Sequence, residues 1–210
     1  MRLLLNGGAV QSVKSLWPDE AKRPTKYLGW LSIPQKHIVL GRDNLPWAAD
    51  NGCFKGLDKC AWLRMLAKIV DKEGCMWVVA PDSLGKYGET ERLWHIWRPA
   101  LAELGFKVAY VAQDGCKGLP VMADALFIGG SDEFKYSNDV KDLVSYAKLR
   151  NLPAHMGRVN TMERLEYATR IDCTSVDGSG MSKYAETYLP KFVGWLKWYF
   201  EDQGRILDWI

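Results

Sequence analysis

The chain has 210 residues, and 28 Lys and Arg against 25 Asp and Glu leave a net charge of +3. That length suits one domain, residues 1–210, with a proper hydrophobic core. With 48% hydrophobic and 25% charged residues, the composition excludes a disordered segment, a polybasic nucleic-acid arm and an acidic tail, while a local basic groove stays open.

Short apolar runs alternate with helical patterns along the chain. The expected strands are Arg2–Asn6, His37–Gly41, Pro46–Gly52, Met76–Asp82, Lys107–Asp114, Ala125–Gly130, Ala154–Arg158 and Thr174–Gly180. Each is short, apolar and closed by Gly, Asp, Asn or Arg, the pattern of strands buried on both faces. The expected helices begin with Leu57–Glu73, which carries Leu63, Leu66, Ala67 and Val70 on one face. Glu89–Leu104 follows with Leu93, Ile96, Trp97, Ala100 and Leu101 at the helical period. Asp139–Arg150, Thr161–Ile171 and an aromatic helix from Pro190 to Phe200 complete the set. Pro18–Pro34 holds three prolines and no clean helix, so an irregular early region is expected. Strand–helix alternation implies parallel pairing with crossovers, and eight strands in one domain favour a compact (β/α)8 barrel of the TIM type.

Ten Trp and nine Tyr stand out. Such a density suits a core, an interface or base stacking, and composition alone does not separate these. The stretch Pro190–Ile210 concentrates Phe192, Trp195, Trp198, Tyr199, Phe200 and Trp209. It reads as the closing barrel helix or, alternatively, as a surface for a homodimer or a partner protein. The five cysteines, at 53, 60, 75, 116 and 173, form no C-x-x-C pair. They read as reduced, mostly buried thiols, and no zinc site is expected. The opening MRLLLNGG is too short an apolar run for a signal peptide, and no apolar stretch of about 18 residues occurs. The expectation is a cytoplasmic protein (host cytoplasm if viral) with no membrane partner.

Polar residues gather at the carboxyl ends of the strand runs: Asp50, Asp82, Gln113 with Asp114, Gly129 and Gly130, His155 to Arg158, and Asp177. In a barrel these ends share the face where active sites lie. Singly, each Asp is equally a turn or helix-capping residue. Together, three carboxylates and an amide at one mouth point to chemistry. One option is Mg²⁺ held for a phosphotransfer or phosphohydrolase reaction. Another is a carboxylate nucleophile at an anomeric carbon, with a second carboxylate managing protons.

The segments WAADNGCF (Trp47–Phe54), APDS (Ala80–Ser83), VAQDG (Val111–Gly115), FIGG (Phe127–Gly130), HMGRV (His155–Val159) and SVDG (Ser175–Gly178) come in a fixed order. In that order they resemble the tRNA-guanine transglycosylase superfamily, over about residues 46–180. Members of that superfamily use a barrel to exchange guanine for a 7-deazaguanine such as preQ0. The resemblance implies that Asp177 is the nucleophile and Asp50 the acid/base residue. Phe54 and Met156 would sandwich the base, with Asn51 in the same segment as Phe54. Asp82 and Gln113 would read the guanine edge, and Gly129 with Gly130 would offer a backbone amide to the base carbonyl. Asp177 lies 12 residues after Leu165 of a T-x-E-x-L helix start, as the family nucleophile does.

The chain departs from the family where a C-x-C-x-x-C…H zinc subdomain would follow the nucleophile. This absence, and the compact size, resemble the short phage-type DNA-guanine transglycosylases, so DNA is favoured over tRNA as the polymer. Arg158, Asn160, Ser179 and Lys183 are the candidates for holding backbone phosphates, with solvated surface charge as the plain alternative for Arg158 and Lys183. The implied partners are a nucleic acid and a free 7-deazaguanine base, with no cofactor and no metal. The competing readings are a catalytically retired barrel that binds a modified base or nucleic acid, and the Mg-dependent barrel named above.

Overall fold

A computed structural model describes residues 1–34, 38, 42–53, 56–69 and 72–202. Eight parallel strands close into a barrel in chain order, the first pairing with the last. They are β1 (Arg2–Leu5), β2 (Leu28–Ser32), β3 (Trp47–Ala49), β4 (Cys75–Val79), β5 (Val108–Ala112), β6 (Ala125–Ile128), β7 (Ala154–Met156) and β8 (Ser175–Asp177). The helices are α1 (Val10–Leu16), α2 (Lys59–Ala67), α3 (Tyr87–Glu103), α4 (Asp132–Lys135), α5 (Asn138–Leu149), α6 (Met162–Arg170), α7 (Ser179–Lys183) and α8 (Ala185–Lys197). This is the expected (β/α)8 barrel.

Alternation along each strand sorts the core into two layers. Leu4, Leu31, Ala48, Trp77, Val79, Ala109, Val111 and Ala125 fill the lumen. Leu3, Leu5, Trp30, Trp47, Val78, Tyr110, Ile128 and Met156 face the helices. Gly29 is fixed by close approach: a Cβ there would lie 2.7 Å from Leu4 Cδ2 and 2.9 Å from the Pro46 carbonyl oxygen. Four helices start on side-chain caps, from Asp58, Ser131, Ser137 and Thr161 to the amides of Ala61, Phe134, Val140 and Arg164.

The structure corrects three expectations and adds one element. The second strand is Leu28–Ser32, not His37–Gly41, most of which lies outside the described residues. The prolines at 18, 24 and 34 flank this strand rather than interrupt it. A helix, α1, occupies Val10–Leu16, which carried no expectation. α2 buries Trp62, Met65 and Leu66 while Leu63 stays 41% exposed; Val70 lies outside the described residues. α3 buries Thr90, Trp94 and Leu101 and leaves Ile96 52% exposed. In both helices a tryptophan turns the buried stripe toward itself, because its large apolar area outweighs that of neighbouring Leu or Ile.

α8 carries the expected closing role: it packs against α1 and buries Leu189, Phe192, Val193 and Leu196. A π-helical turn over Trp198–Asp202 follows, and the Tyr27 hydroxyl donates to Glu201 Oε1 at 2.7 Å. Among the described residues no helix is long and apolar enough to cross a membrane. All five cysteines are free.

Candidate active site

Continuing each strand by one inward-facing step brings functional groups to the carboxyl mouth. Asp50 follows Ala48, Gln113 follows Val111, Gly129 follows Phe127, Gly157 follows His155, and Asp177 follows Ser175. These residues line a cavity of about 880 Å³ together with Asn51, Cys53, Asp82, Gly130, Lys135, Arg158, Asn160 and Ser179. Ile33, Leu84, Val111 and Phe127 supply its apolar wall.

One side of the mouth is organised around Asp82. Its Oδ1 accepts from Asn51 Nδ2 at 2.7 Å and its Oδ2 from Gln113 Nε2 at 2.6 Å, and the Cys53 thiol also donates to this carboxylate. Each amide is itself anchored. Asn51 Nδ2 reaches the Ala80 carbonyl at 2.7 Å and its oxygen accepts from the Cys53 amide at 2.8 Å. Gln113 Oε1 accepts from the Gly85 amide at 2.9 Å. Asn51 and Gln113 are both 1% exposed. Burial raises the Asp82 carboxyl above its ordinary range, against the pull of the Asn51, Gln113 and Cys53 hydrogen bonds. Burial, with the charge of Asp82, pushes the Cys53 thiol up to about 12, so it stays a donor.

Asp50 is different. Its Oδ1 accepts from the Gly52 amide at 3.4 Å, and the Asn51 amide also donates to the carboxyl. Burial, then the charges of Asp177 and Asp82, push its carboxyl up to about 7. A carboxylic acid so placed exchanges a proton near neutrality.

Across the mouth, Asp177 Oδ1 accepts from the Arg158 amide at 3.2 Å and meets His155 Nε2 at 3.2 Å. His155 is buried in the lumen and its Nδ1 lies 2.9 Å from Ser175 Oγ. An imidazole with its hydrogen on Nε2 donates to Asp177 and accepts from the Ser175 hydroxyl, which orients the carboxylate. Beneath it, Trp77, Phe127 and His155 form an aromatic floor with ring centroids 4.6–5.9 Å apart.

Of the expected site residues, Asp50, Asn51, Asp82, Gln113, Gly129, Gly130, Arg158, Asn160, Ser179 and Asp177 line this one cavity. Met156 does not. It is 2% exposed in the layer facing the helices, because strand alternation puts His155 and Gly157 inward and Met156 outward. Phe54 lies outside the described residues. Lys183 is set apart, its Nζ over the Tyr184 ring at 5.0 Å. Asp114 is structural: burial works against its charge, yet the Ser131 hydroxyl and amide hold its carboxyl below the ordinary value. Gly130 needs its φ of +72°, and a Cβ there would stand 2.7 Å from Asp114 Oδ2 and from Phe134 Cδ1. The reading by motif missed Lys135, Cys53 and the orienting role of His155. Strand parity, which pairs His155 with Gly157 and Asp177, is a signal that finds the last. Among the described residues no group of three or more His, Cys, Asp or Glu is arranged to hold a metal ion.

No family model matches the chain, and no curated protein matches it. Solved structures resemble it in fold. RipC from Yersinia pestis is 8% identical with a TM-score of 0.47, covering 92% of this chain and 94% of that one. An HpcH/HpaI aldolase from Desulfitobacterium hafniense DCB-2 is 10% identical with a TM-score of 0.41, covering 93% and 91%. The PaMucR phosphodiesterase in its c-di-GMP complex is 15% identical with a TM-score of 0.40. That match covers 67% of this chain and 62% of the other, less than two thirds of its length. At these values the likeness is one of fold alone and says nothing of what this chain does.

Proposed function

We propose that this chain is a transglycosylase that exchanges guanine in a nucleic acid, DNA in preference to tRNA, for a 7-deazaguanine such as preQ0. The observation that carries the reading is the unequal pair of carboxylates in one cavity. Asp50 is held near neutrality by burial and by like charge, while Asp177 is oriented by His155 and the Arg158 amide. Such separation of environments supports reading Asp50 as the proton carrier and Asp177 as the nucleophile.

In this reading the target nucleotide leaves the stack and its base enters the cavity, against the wall made by Ile33, Leu84, Val111 and Phe127. Asp82, fixed by two amides, accepts from the guanine N1–H and exocyclic amine, with the base taking the place of the Cys53 thiol as donor. Gln113 and the Gly129–Gly130 backbone face the O6 edge. Asp177 attacks C1′; the glycosidic bond breaks as the Asp–C1′ ester bond forms, and Asp50 delivers its proton to the leaving guanine. The incoming base gives its proton back to Asp50 and displaces Asp177 from C1′, which balances the cycle. In this reading Arg158, Asn160 and Ser179, which line the same cavity, meet backbone phosphates.

The test is incorporation of radiolabelled guanine into duplex DNA, single-stranded DNA and bulk tRNA in parallel, with Asp177→Ala as control. Label entering DNA and lost in the variant supports the reading, as does a protein–DNA adduct that survives a denaturing gel. Label in tRNA alone overturns the preference for DNA. An active Asp177→Ala variant removes the nucleophile assignment. No label or adduct with any polymer, with guanine or with preQ0, overturns the reading in favour of a barrel that only binds.

A further inference from the structure

Lys135 ends α4 and is 3% exposed, the most deeply buried Lys, Arg, Asp or Glu among the described residues. It lines the same cavity as Asp177. Its Nζ donates to the Gly157 carbonyl oxygen at 2.7 Å. The N–H of that same peptide group belongs to Arg158, and it donates to Asp177 Oδ1 at 3.2 Å. One peptide plane therefore lies between the buried ammonium and the oriented carboxylate.

That peptide does not hold its orientation by backbone preference. Arg158 has a φ of +61°, in the left-handed region that costs a residue with a Cβ about 1 kcal/mol or more. External contacts hold it there: Lys135 on the Gly157 carbonyl, Arg164 Nη1 on the Arg158 carbonyl at 3.2 Å, and the Arg158 guanidinium on the Gly130 carbonyl. Lys135 is fixed in turn by the Tyr167 hydroxyl, which donates to its carbonyl at 3.0 Å. A neutral donor would satisfy the Gly157 carbonyl without the desolvation that a buried ammonium carries. What the charge adds is polarisation, because hydrogen bonds in series strengthen one another.

We propose that Lys135 is a positioning residue: through the Gly157–Arg158 peptide, its ammonium orients and polarises the N–H that Asp177 accepts. The relay rests on Asp177 being the working carboxylate, as read above, but its spectroscopic test does not depend on the reaction. Arg158, Asp177, Asp132 and Arg164 are the charged groups facing Lys135; His155 and Asp50 are those facing Asp177 from the other elements. Burial, with the positive charge of Arg158, brings the Lys135 amine down to about 8, so its charge is lost within an accessible range.

The experiment follows the Arg158 amide in ¹H–¹⁵N spectra of the full chain between neutral and alkaline pH. In the wild type the resonance moves with a midpoint near 8. In Lys135→Arg, which stays charged, the step is absent, and in Lys135→Met the amide sits at a weaker-bonded position throughout. In base exchange, Lys135→Met lowers kcat roughly 10- to 100-fold, the scale of a misplaced reacting group. KM is little changed, and Lys135→Arg recovers part of the rate. An Arg158 amide indifferent to Lys135 titration overturns the relay. So does a folded Lys135→Met protein with an unchanged amide spectrum. If Lys135→Met fails to fold, the wild-type titration against Lys135→Arg decides alone.

Discussion

Replacing Asp50 by Asn makes the protein more stable at alkaline pH, and the gain vanishes in acid. Burial and the charges of Asp177 and Asp82 raise the Asp50 carboxyl from 3.8 to about 7. The unfolded chain therefore ionises first. Below the unfolded value both states are protonated and nothing is lost. Between 3.8 and about 7 the folded state binds the extra proton, so stability falls as pH rises. Above this window both states are ionised and the full penalty remains. About three units at about 1.4 kcal/mol each give a ceiling of about 4 kcal/mol. Water reaches part of the side chain, which lowers the expected figure to about 2–4 kcal/mol. Asn keeps an oxygen for the Gly52 amide and stays neutral in both states. Urea unfolding of wild type and Asp50→Asn, compared at about pH 4 and about pH 8, isolates this term, because shared titrations cancel. The variant gains the stated amount relative to wild type between the two conditions, and it loses base exchange. A difference between the two proteins that is the same at both pH values refutes the account of Asp50.

Gln113→Leu strips one donor from Asp82 and the acceptor from the Gly85 amide; it costs about 1–3 kcal/mol in urea unfolding and weakens guanine binding at least about tenfold by calorimetry. Unchanged binding would show that Gln113 does not read the base. Gly130→Ala forces a Cβ onto Asp114 and Phe134 at positive φ and loses about 1–3 kcal/mol, read as a lowered Tm; an unshifted melt contradicts this geometry. Base exchange persists in EDTA. Loss of label that added Mg²⁺ restores would turn the reading toward a cation held by the carboxylates.

Seven of the eight strands were legible because a strand buried on both faces writes itself as a short apolar run closed by Gly or a polar residue. β2 escaped because LGWLS lies among prolines that look like breakers, while HIVLG nearby carries the stronger β-branched signal. At the mouth, the carboxylates and Gln113 were legible since strand ends converge in a barrel whatever the loops do. Met156 shows the opposite case. A motif match names a position, but only strand parity says which way it points, and parity places it against the helices. Lys135 left no trace in the pattern. It sits in a four-residue helix too short for periodicity, and its burial depends on β7, α6 and a peptide more than 20 residues away.

The crossover from β5 to β6 runs from Gln113 to Asp124 without a helix, and the described residues between β2 and β3 hold one short 3-10 turn, Arg42–Asn44. A barrel of this kind commonly spans about 250 residues, and a crossover without a helix leaves strand faces that a helix would otherwise cover. Bulk has taken the place of length. Trp30, Trp47 and Tyr110 are fully buried on the outward faces of β2, β3 and β5, and Trp94 meets Tyr110 edge to face at 5.2 Å. At these strands the shell is thus thickened in side chains. Trimming one of these indoles should breach the wall around the barrel, whereas the same change on a fully ringed barrel would leave only a dent.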